Sequence, residues 1–244
     1  MAFPPLRAFT LWARNERAIQ VQPRRVDATE RLVEKWITSN DLRRSATASM
    51  ITDLTRALQP LRGRRFRRLL DIGCGFGGVT RLIGEYLEIS ELHGIDLDAK
   101  ALEEAREKGV VTHHINVGEA NLPFPDGYFD LVVSFGMFDY FPFFDDILQE
   151  VFRIMRPEGY ALVSLPNLAS WHNRLCLLLG YQPRDIELSR KILAGVHPWY
   201  KPEYSNPSGH LRVATAHAFQ ELMAHQGFQT IGLTGGRPIV WKPW

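Results

Sequence analysis

The chain has 244 residues, of which 45% are hydrophobic and 23% charged, a balance typical of folded globular proteins rather than disordered, collagen-like or disulfide-rich chains. Its formal net charge is +2, and its two cysteines, Cys74 and Cys176, cannot form a disulfide framework, which fits a reducing compartment. No apolar run reaches the roughly 18 residues of a membrane span, and residues 1–14 lack the apolar stretch of a secretory signal. The sequence therefore predicts a soluble cytoplasmic protein.

The charge is unevenly distributed along the chain. Residues 1–68 contain 14 arginines and one lysine against six acidic residues, and five of those arginines cluster in residues 62–68. A basic cluster can attract phosphates, but nucleic-acid binding also needs aromatic platforms, and only Phe66 lies there. A solvated segment flanking a buried strand is the favoured interpretation, and no DNA partner is expected.

The first 60 residues are predicted to be helical. Asp27 and Glu30 have the spacing of a capping box that opens one helix, and a second apolar pattern runs over residues 41–58 until Pro60 ends it. We therefore assign residues 1–64 to an N-terminal helical extension or cap. Residues 65–244 are assigned to a second, larger domain.

That domain alternates short apolar runs with amphipathic helical patterns, which is typical of parallel strands joined by crossover helices. The predicted strands cover 69–72, 92–96, 110–117, 130–134 and 160–165, with helices over 79–87, 100–108 and 145–155. An irregular insertion over residues 166–210 follows, rich in proline, histidine and aromatic residues. A helix near 214–226 and two strands near 228–234 and 238–241 complete the domain.

A glycine cluster follows the first of these strands. Gly73, Gly75 and Gly78 satisfy the dinucleotide fingerprint, which taken alone is a weak signal for an NAD-dependent oxidoreductase. Asp71, two residues before the first glycine, is awkward beside a pyrophosphate but suits a cationic ligand. Asp96 ends the second strand and can accept hydrogen bonds from both hydroxyls of a ribose. Together these residues predict a nucleoside-containing cofactor.

Three stretches carry a family resemblance: Leu69-Leu-Asp-Ile-Gly-Cys-Gly-Phe-Gly77, Gly94-Ile-Asp-Leu-Asp98 and Leu122-Pro-Phe-Pro-Asp-Gly-Tyr-Phe-Asp-Leu-Val-Val-Ser134. With Val151-Phe-Arg-Ile-Met-Arg-Pro-Glu-Gly-Tyr160, they resemble the class I S-adenosylmethionine-dependent methyltransferases of type 11, over residues 65–167. The resemblance implies an α/β fold with a Rossmann-like, seven-stranded, mostly parallel sheet. Its strand order would be 3-2-1-4-5-7-6, with strand 7 antiparallel, helices on both faces and a cap insertion after strand 5.

The same resemblance implies a set of site residues for S-adenosyl-L-methionine. The residues that would shape the loop under the methionine part of the cofactor are Asp71, Gly73, Gly75 and Gly77. Asp96 would hold the ribose hydroxyls, and Leu97 would flank the adenine. The adenine edge would be contacted by Glu119 and Ala120, and the sulfonium by Ser134 and Phe135.

Methyl transfer from a sulfonium is an in-line displacement, so the predicted function is methylation of a small or medium-sized acceptor. The acceptor pocket would be built from the aromatic segment 137–144, the insertion 166–210 and the N-terminal helices. Within it His210, His197 and Tyr140 are the candidates for a base or for orienting the acceptor. No metal site is predicted, because His113 and His114 have no carboxylate or cysteine partner at metal-ligand spacing.

The insertion also resembles, more loosely, the MetW-type proteins of methionine biosynthesis, through Ser164-Leu-Pro-Asn167 and Gly209-His-Leu-Arg212. That group has a methyltransferase-like fold and is associated with partnering an acyltransferase. The alternative function is therefore a cofactor-binding partner or regulatory protein without methyl transfer. A solvent-exposed loop after the fourth strand would favour this alternative, and an aromatic cap enclosing histidines would favour the enzyme.

Overall fold

The computed structural model describes residues 7–13, 48–118, 121–198, 200 and 206–235. Within them the strands are β1 (Arg7–Ala13), β2 (Arg68–Ile72), β3 (Glu91–Asp96), β4 (Val111–His114), β5 (Phe129–Phe135), β6 (Met155–Pro166) and β7 (Gln229–Gly235). The α-helices are α1 (Ala48–Leu58), α2 (Gly78–Leu87), α3 (Ala99–Glu107), α4 (Asp145–Ile154), α5 (Trp171–Leu178) and α6 (Ala216–His225). None of the helices in these ranges is both long and apolar enough to cross a bilayer.

All seven of these strands belong to one sheet, in the order β4-β3-β2-β5-β6-β1-β7. The five strands from β4 to β6 are mutually parallel, whereas β1 runs antiparallel to both β6 and β7. The carboxyl ends of the parallel strands therefore meet at one edge, where ligands bind in open α/β sheets. The predicted Rossmann-like α/β sheet of mostly parallel strands is confirmed.

The N-terminal segment corrects the prediction of a wholly helical extension. Residues 7–13 form β1 and pair with β6 on one side and β7 on the other. Their run of Phe, Thr, Leu and Trp has high strand propensity, and pairing satisfies the backbone groups that the side of β6 away from β5 would otherwise leave open. The helix expected from Asp27 and the strand expected over 238–241 lie outside the described residues.

Helix α1 belongs to the core of the sheet rather than to a cap over the site. Its Leu54 and Leu58 are buried in one apolar cluster with Leu82 of α2 and Leu131 of β5. The opposite face of the sheet is covered by a second cluster from β5, α4 and α6, which includes Val132, Leu148, Phe219 and Met223. Adjacent residues of β5 thus face opposite layers, as the two-residue period of a strand requires. The domain boundary at 64/65 stays a prediction.

The insertion 166–210 is also less irregular than expected. It opens with α5, and isolated bridges join Asn167 to Ala214 and Gln182 to Val196. The first bridge fastens the start of the insertion to the segment that leads into α6. The second joins the two ends of the loop 182–196, which follows α5.

Candidate active site

The loop between β2 and α2 lies at the carboxyl edge of the sheet, and its backbone requires glycine. Gly73, Gly75 and Gly77 have φ values of +83°, +49° and +74°, in the left-handed region that glycine adopts without strain. A Cβ at Gly73 would lie 2.9 Å from the Cβ of Met137, whereas a Cβ at Gly75 would meet nothing within 4 Å. The loop therefore packs closely at Gly73 and faces open space at Gly75, where a ligand can approach the backbone.

Asp96 connects the end of β3 to this open position. One carboxylate oxygen accepts the backbone N–H of Gly75 at 2.8 Å, and the other accepts that of Asp98 at 3.0 Å. A carboxylate has about four acceptor positions, so Asp96, which is half-buried, keeps capacity for further donors. The exposed side chain of Leu97 follows directly. This arrangement suits a diol that donates two hydrogen bonds.

Asp71 is a buried carboxyl with an unsatisfied oxygen. Its Oδ2 accepts the hydroxyl of Thr80 at 2.6 Å, whereas its buried Oδ1 has no hydrogen-bond partner among the described residues. Burial raises the pKa of Asp71 to about 7; the Thr80 hydrogen bond opposes this rise, and the nearby charge of Asp96 adds to it. A cationic group beside the loop would stabilise the charged carboxylate, which fits the ligand type inferred from the sequence.

Of the four other predicted cofactor residues, two lie at the end of β5 and two lie outside the described residues. Ser134 lies inside β5, and its buried hydroxyl donates to the carbonyl oxygen of Ile72 at 3.1 Å, which ties β5 to the end of β2. Phe135 is the last residue of β5 and is half-buried. Glu119 and Ala120 lie outside the described residues. Contact of these four with a cofactor stays a prediction.

The aromatic segment after β5 is mostly covered. Phe138, Phe141 and Phe144 are buried in the core, while Tyr140 and Phe143 are exposed. The backbone carbonyl of Asp139 accepts the N–H groups of Leu211 and Arg212 at 2.7 and 3.1 Å, so residues 209–212 fold over the segment. The loop after the fourth parallel strand is therefore not a free solvent-exposed loop.

A buried carboxylate–imidazole pair lies within this covered segment. Nε2 of His210 lies 3.0 Å from Oδ2 of Asp139, and the two side chains are only 5% and 1% exposed. Nδ1 of His210 is buried and has no hydrogen-bond partner among the described residues. Burial alone would disfavour the charged imidazole, but Asp139, helped by Asp185 and Glu187, leaves the pKa of His210 raised. His210 is thus in ion-pair contact with Asp139 at one nitrogen, without an aligned hydrogen bond, and its other nitrogen can take a proton.

The structure brings two of the three predicted catalytic residues together. The ring of Tyr140 lies 5.6 Å from that of His210, whereas His197 packs against Tyr181 at 4.4 Å elsewhere in the insertion. Sequence reasoning missed Asp139. The available signal was a single carboxylate inside the aromatic run 137–144, a position where a charge needs a buried partner.

His113, predicted to lack partners for a metal, contacts residues of the neighbouring strand. Its Nε2 lies 3.1 Å from Nδ1 of His93, whose Nε2 lies 3.1 Å from Glu91. Over the described ranges, no group of three or more His, Cys, Asp and Glu side chains is arranged to hold a metal ion. The two imidazoles share a partly buried hydrogen bond, in which one nitrogen must donate and the other accept.

This pair predicts a pH-dependent loss of stability. Burial and the neighbouring His93 lower the pKa of His113. The contribution of neutral His113 to the unfolding free energy is therefore complete above the ordinary histidine pKa. It is lost as the pH falls from that value towards the lowered pKa. We expect the unfolding free energy of His113→Gln to fall less between about pH 7 and about pH 5 than that of the parent. The exposed neighbour supplies the control, His114→Gln, which should keep the parent's slope. Denaturant titrations that run parallel for all three proteins would contradict the assignment.

Comparison with known proteins agrees with this geometry. Residues 70–163 match the model of the family described as methyltransferase domain. Malonyl-(acyl-carrier protein) O-methyltransferase from Enterobacter lignolyticus is 35% identical over 132 residues, 52% of this chain and 49% of that protein. Fatty-acid O-methyltransferase from Mycolicibacterium smegmatis is 34% identical over 98 residues, 39% of this chain and 36% of that protein. The chain thus matches about half or less of the length of these curated relatives.

A solved structure supports the fold. An S-adenosylmethionine-dependent methyltransferase from Thermotoga maritima, described as a possible histamine N-methyltransferase, superposes with a TM-score of 0.52 at 20% identity. The superposition covers 82% of this chain and 79% of that one. The stretch matched by the family model contains the glycine loop, Asp96 and most of the paired residues of β2 and β5. Residues 70–163 of this chain are therefore similar to the methyltransferase domain, and the solved structure shares the fold.

Proposed function

We propose that this protein transfers the methyl group of S-adenosyl-L-methionine to a small or medium-sized acceptor. One observation carries the proposal: the Asp96 carboxylate is hydrogen-bonded to Gly75 at the open position of the glycine loop, inside the stretch that matches the methyltransferase domain. The unsatisfied oxygen of buried Asp71 lies at the same edge of the sheet. These residues fit a ligand that combines a ribose diol with a positive charge.

In this proposal each residue of the loop region has a definite role. Asp96 accepts from the ribose hydroxyls, and Leu97 packs against the adenine. Gly75 lets the backbone approach the ligand, and Asp71 supplies a negative charge beneath the loop. When bound, the cofactor supplies an electrophilic methyl group on a sulfonium. The protein contributes alignment and exclusion of water rather than covalent chemistry.

The acceptor side of the proposal rests on Asp139 and His210. Met137, whose side chain packs on Gly73, lies two residues before Asp139, so the pair is close in the fold to the glycine loop. Nδ1 of His210 removes the proton of the acceptor, and Asp139 orients the ring and stabilises the imidazolium. A carboxylate acceptor needs no base, whereas a hydroxyl does. The buried pair favours a hydroxyl oxygen as the methylated atom, whereas the two relatives, named for malonyl and fatty-acid substrates, favour a carboxylate oxygen.

The alternative, a cofactor-binding partner protein without methyl transfer, would be favoured by an exposed loop after β5. Residues 209–212 cover that loop, and His210 among them contacts Asp139. An enclosed proton-accepting pair has no evident use in a protein that only docks onto a partner. The geometry therefore supports the enzyme over the partner protein.

Calorimetric titration tests the cofactor assignment. The parent should bind S-adenosylmethionine and S-adenosylhomocysteine but not NAD. Asp96→Ala removes an acceptor of charge-assisted hydrogen bonds, so it should weaken both sulfur ligands by about 1.5–3 kcal/mol, a factor of roughly 10 to 150.

The matched control is Asp98→Ala. Asp98 accepts from the backbone N–H groups of Lys100 and Ala101 as the N-cap of α3, so its loss should cost about 1 kcal/mol of stability and leave ligand affinity unchanged. Parental affinity in a folded Asp96→Ala variant would refute the role of Asp96. Tight binding of NAD alone would replace the proposal with an oxidoreductase.

A further inference from the structure

Helix α5, at the start of the insertion, buries two polar side chains and exposes two leucines, although it also buries Cys176. The polar side chains of His172 and Asn173 are buried, whereas Leu177 and Leu178 are exposed. A helix on the surface of a water-soluble domain normally turns its apolar stripe inward and its polar residues outward. The outer face of α5 is therefore built for surroundings less polar than water.

The exposed leucines continue beyond the helix into a single segment. The large aliphatic side chains that are 53–81% exposed in residues 177–192, which we name the cap patch, are Leu177, Leu178, Leu179, Leu188 and Ile192. The backbone N–H of Gln182 donates to Gly195 at 2.8 Å, and that of Tyr181 to Cys176. These bonds bring residue 195 beside residue 182, so the loop that carries Leu188 and Ile192 begins and ends next to the end of α5. A concentration of this kind marks an interaction surface.

The exposed charges around the cap patch are basic. Arg174, Arg190 and Lys191 are exposed, whereas the two acidic residues of the segment are engaged elsewhere. Glu187 accepts the backbone N–H groups of residues 208 and 209, and Asp185 pairs with Arg184. The outer surface of the cap thus presents aliphatic side chains interspersed with cations.

We propose that the cap patch docks this protein onto an anionic lipid surface. Aliphatic side chains flanked by Lys and Arg match the boundary between acyl chains and negatively charged headgroups. A second copy of the chain would bring the same patch face to face in a symmetric dimer and place the basic residues of the two copies against each other. Among the described residues 177–192, the large exposed hydrophobic side chains are all aliphatic, whereas aromatic side chains dominate protein–protein hot spots. This proposal does not depend on methyl transfer.

Vesicle co-sedimentation of the full chain tests the proposal. Binding to phosphatidylcholine vesicles that contain phosphatidylglycerol should exceed binding to pure phosphatidylcholine at least ten-fold and should weaken with salt. The double variant Leu178→Ser/Leu188→Ser should lose about ten-fold in partitioning. Arg190→Gln/Lys191→Gln should lose roughly 25-fold, about five-fold for each basic side chain near the surface.

The control replaces an exposed aliphatic residue on an edge strand of the sheet, Val111→Ser, and should partition like the parent. Circular dichroism checks that every variant is folded, which is expected because all substituted side chains are exposed. No vesicle binding, or binding that the leucine and the basic variants leave unchanged, would overturn the proposal. So would a concentration-dependent dimer, seen by light scattering, that the leucine variant abolishes.

Discussion

Replacing His210 with glutamine should lower kcat for methyl transfer by about 10²- to 10⁴-fold, the usual contribution of a positioned general base. Affinity for S-adenosylhomocysteine should stay at the parental value, because the glycine loop and Asp96 are untouched. The acceptor for the assay is found by screening hydroxyl, amine, thiol and carboxylate compounds for release of S-adenosylhomocysteine. The matched control is His197→Gln, which removes another histidine of the insertion, one that packs against Tyr181, and should retain activity.

Asp139→Asn separates a catalytic role of the pair from a structural one. The base is the neutral imidazole, so kcat should rise with pH through the raised pKa of His210. Removal of the Asp139 charge lowers that pKa, so the acid limb of the profile should move to lower pH while the plateau falls. The titration of the His210 ring, followed by NMR, should move in the same direction without any acceptor present. Full activity of His210→Gln, or an unmoved acid limb in Asp139→Asn, would contradict the proposed base.

The second large effect concerns stability. Asp71 is nearly inaccessible, and burial raises its pKa from 3.8 to about 7. Between these values the folded chain keeps a proton that the unfolded chain has lost, so the unfolding free energy declines as pH rises from about 4 to about 7. Asp71→Asn keeps the shape without the charge. It should stabilise the fold by about 2–4 kcal/mol at pH 8 and by little near pH 4, as measured by denaturant unfolding.

The same substitution should weaken binding of S-adenosylmethionine, because it removes the negative charge beneath the loop. In the parent, that affinity should rise as pH increases through about 7, since a cationic ligand favours the ionised carboxyl. Thr80→Val provides the control, because it removes the hydrogen bond that favours the carboxylate and should raise the pKa of Asp71 further. A less stable Asp71→Asn at pH 8 would show that the carboxylate contributes to the fold rather than to a ligand.

The glycine loop could be predicted because its determinants are contiguous. Asp71, Gly73, Gly75 and Gly77 lie within seven residues, and the three glycines have positive φ values, which glycine adopts without strain. Asp96 was predictable for a related reason, since the carboxyl ends of neighbouring parallel strands meet at one edge. The helices α2, α3 and α4 followed from apolar residues at helical spacing.

Other features depend on contacts between distant parts of the chain. Asp139 was missed because its partner, His210, lies beyond the whole insertion, and no local pattern pairs them. The residues of β1 were predicted to be helical. They form a strand because the side of β6 away from β5 offers open backbone groups, and the periodicity of residues 7–13 does not reveal this pairing. The exposure of the α5 leucines could not be predicted either, because a surface helix normally turns its apolar side chains towards the core.

By itself, then, the sequence determined the α/β sheet, the glycine loop and the carboxylate at the end of β3, since these follow from local backbone geometry and from the alternation of strands and helices. Only the tertiary structure decided which side chains share a buried environment. It brought the Asp139 carboxylate to the His210 ring, buried Asp71 deeply enough to raise its pKa, and turned the leucines of the cap outward. The physical reason is that burial and charge pairing are properties of surroundings assembled from the whole chain.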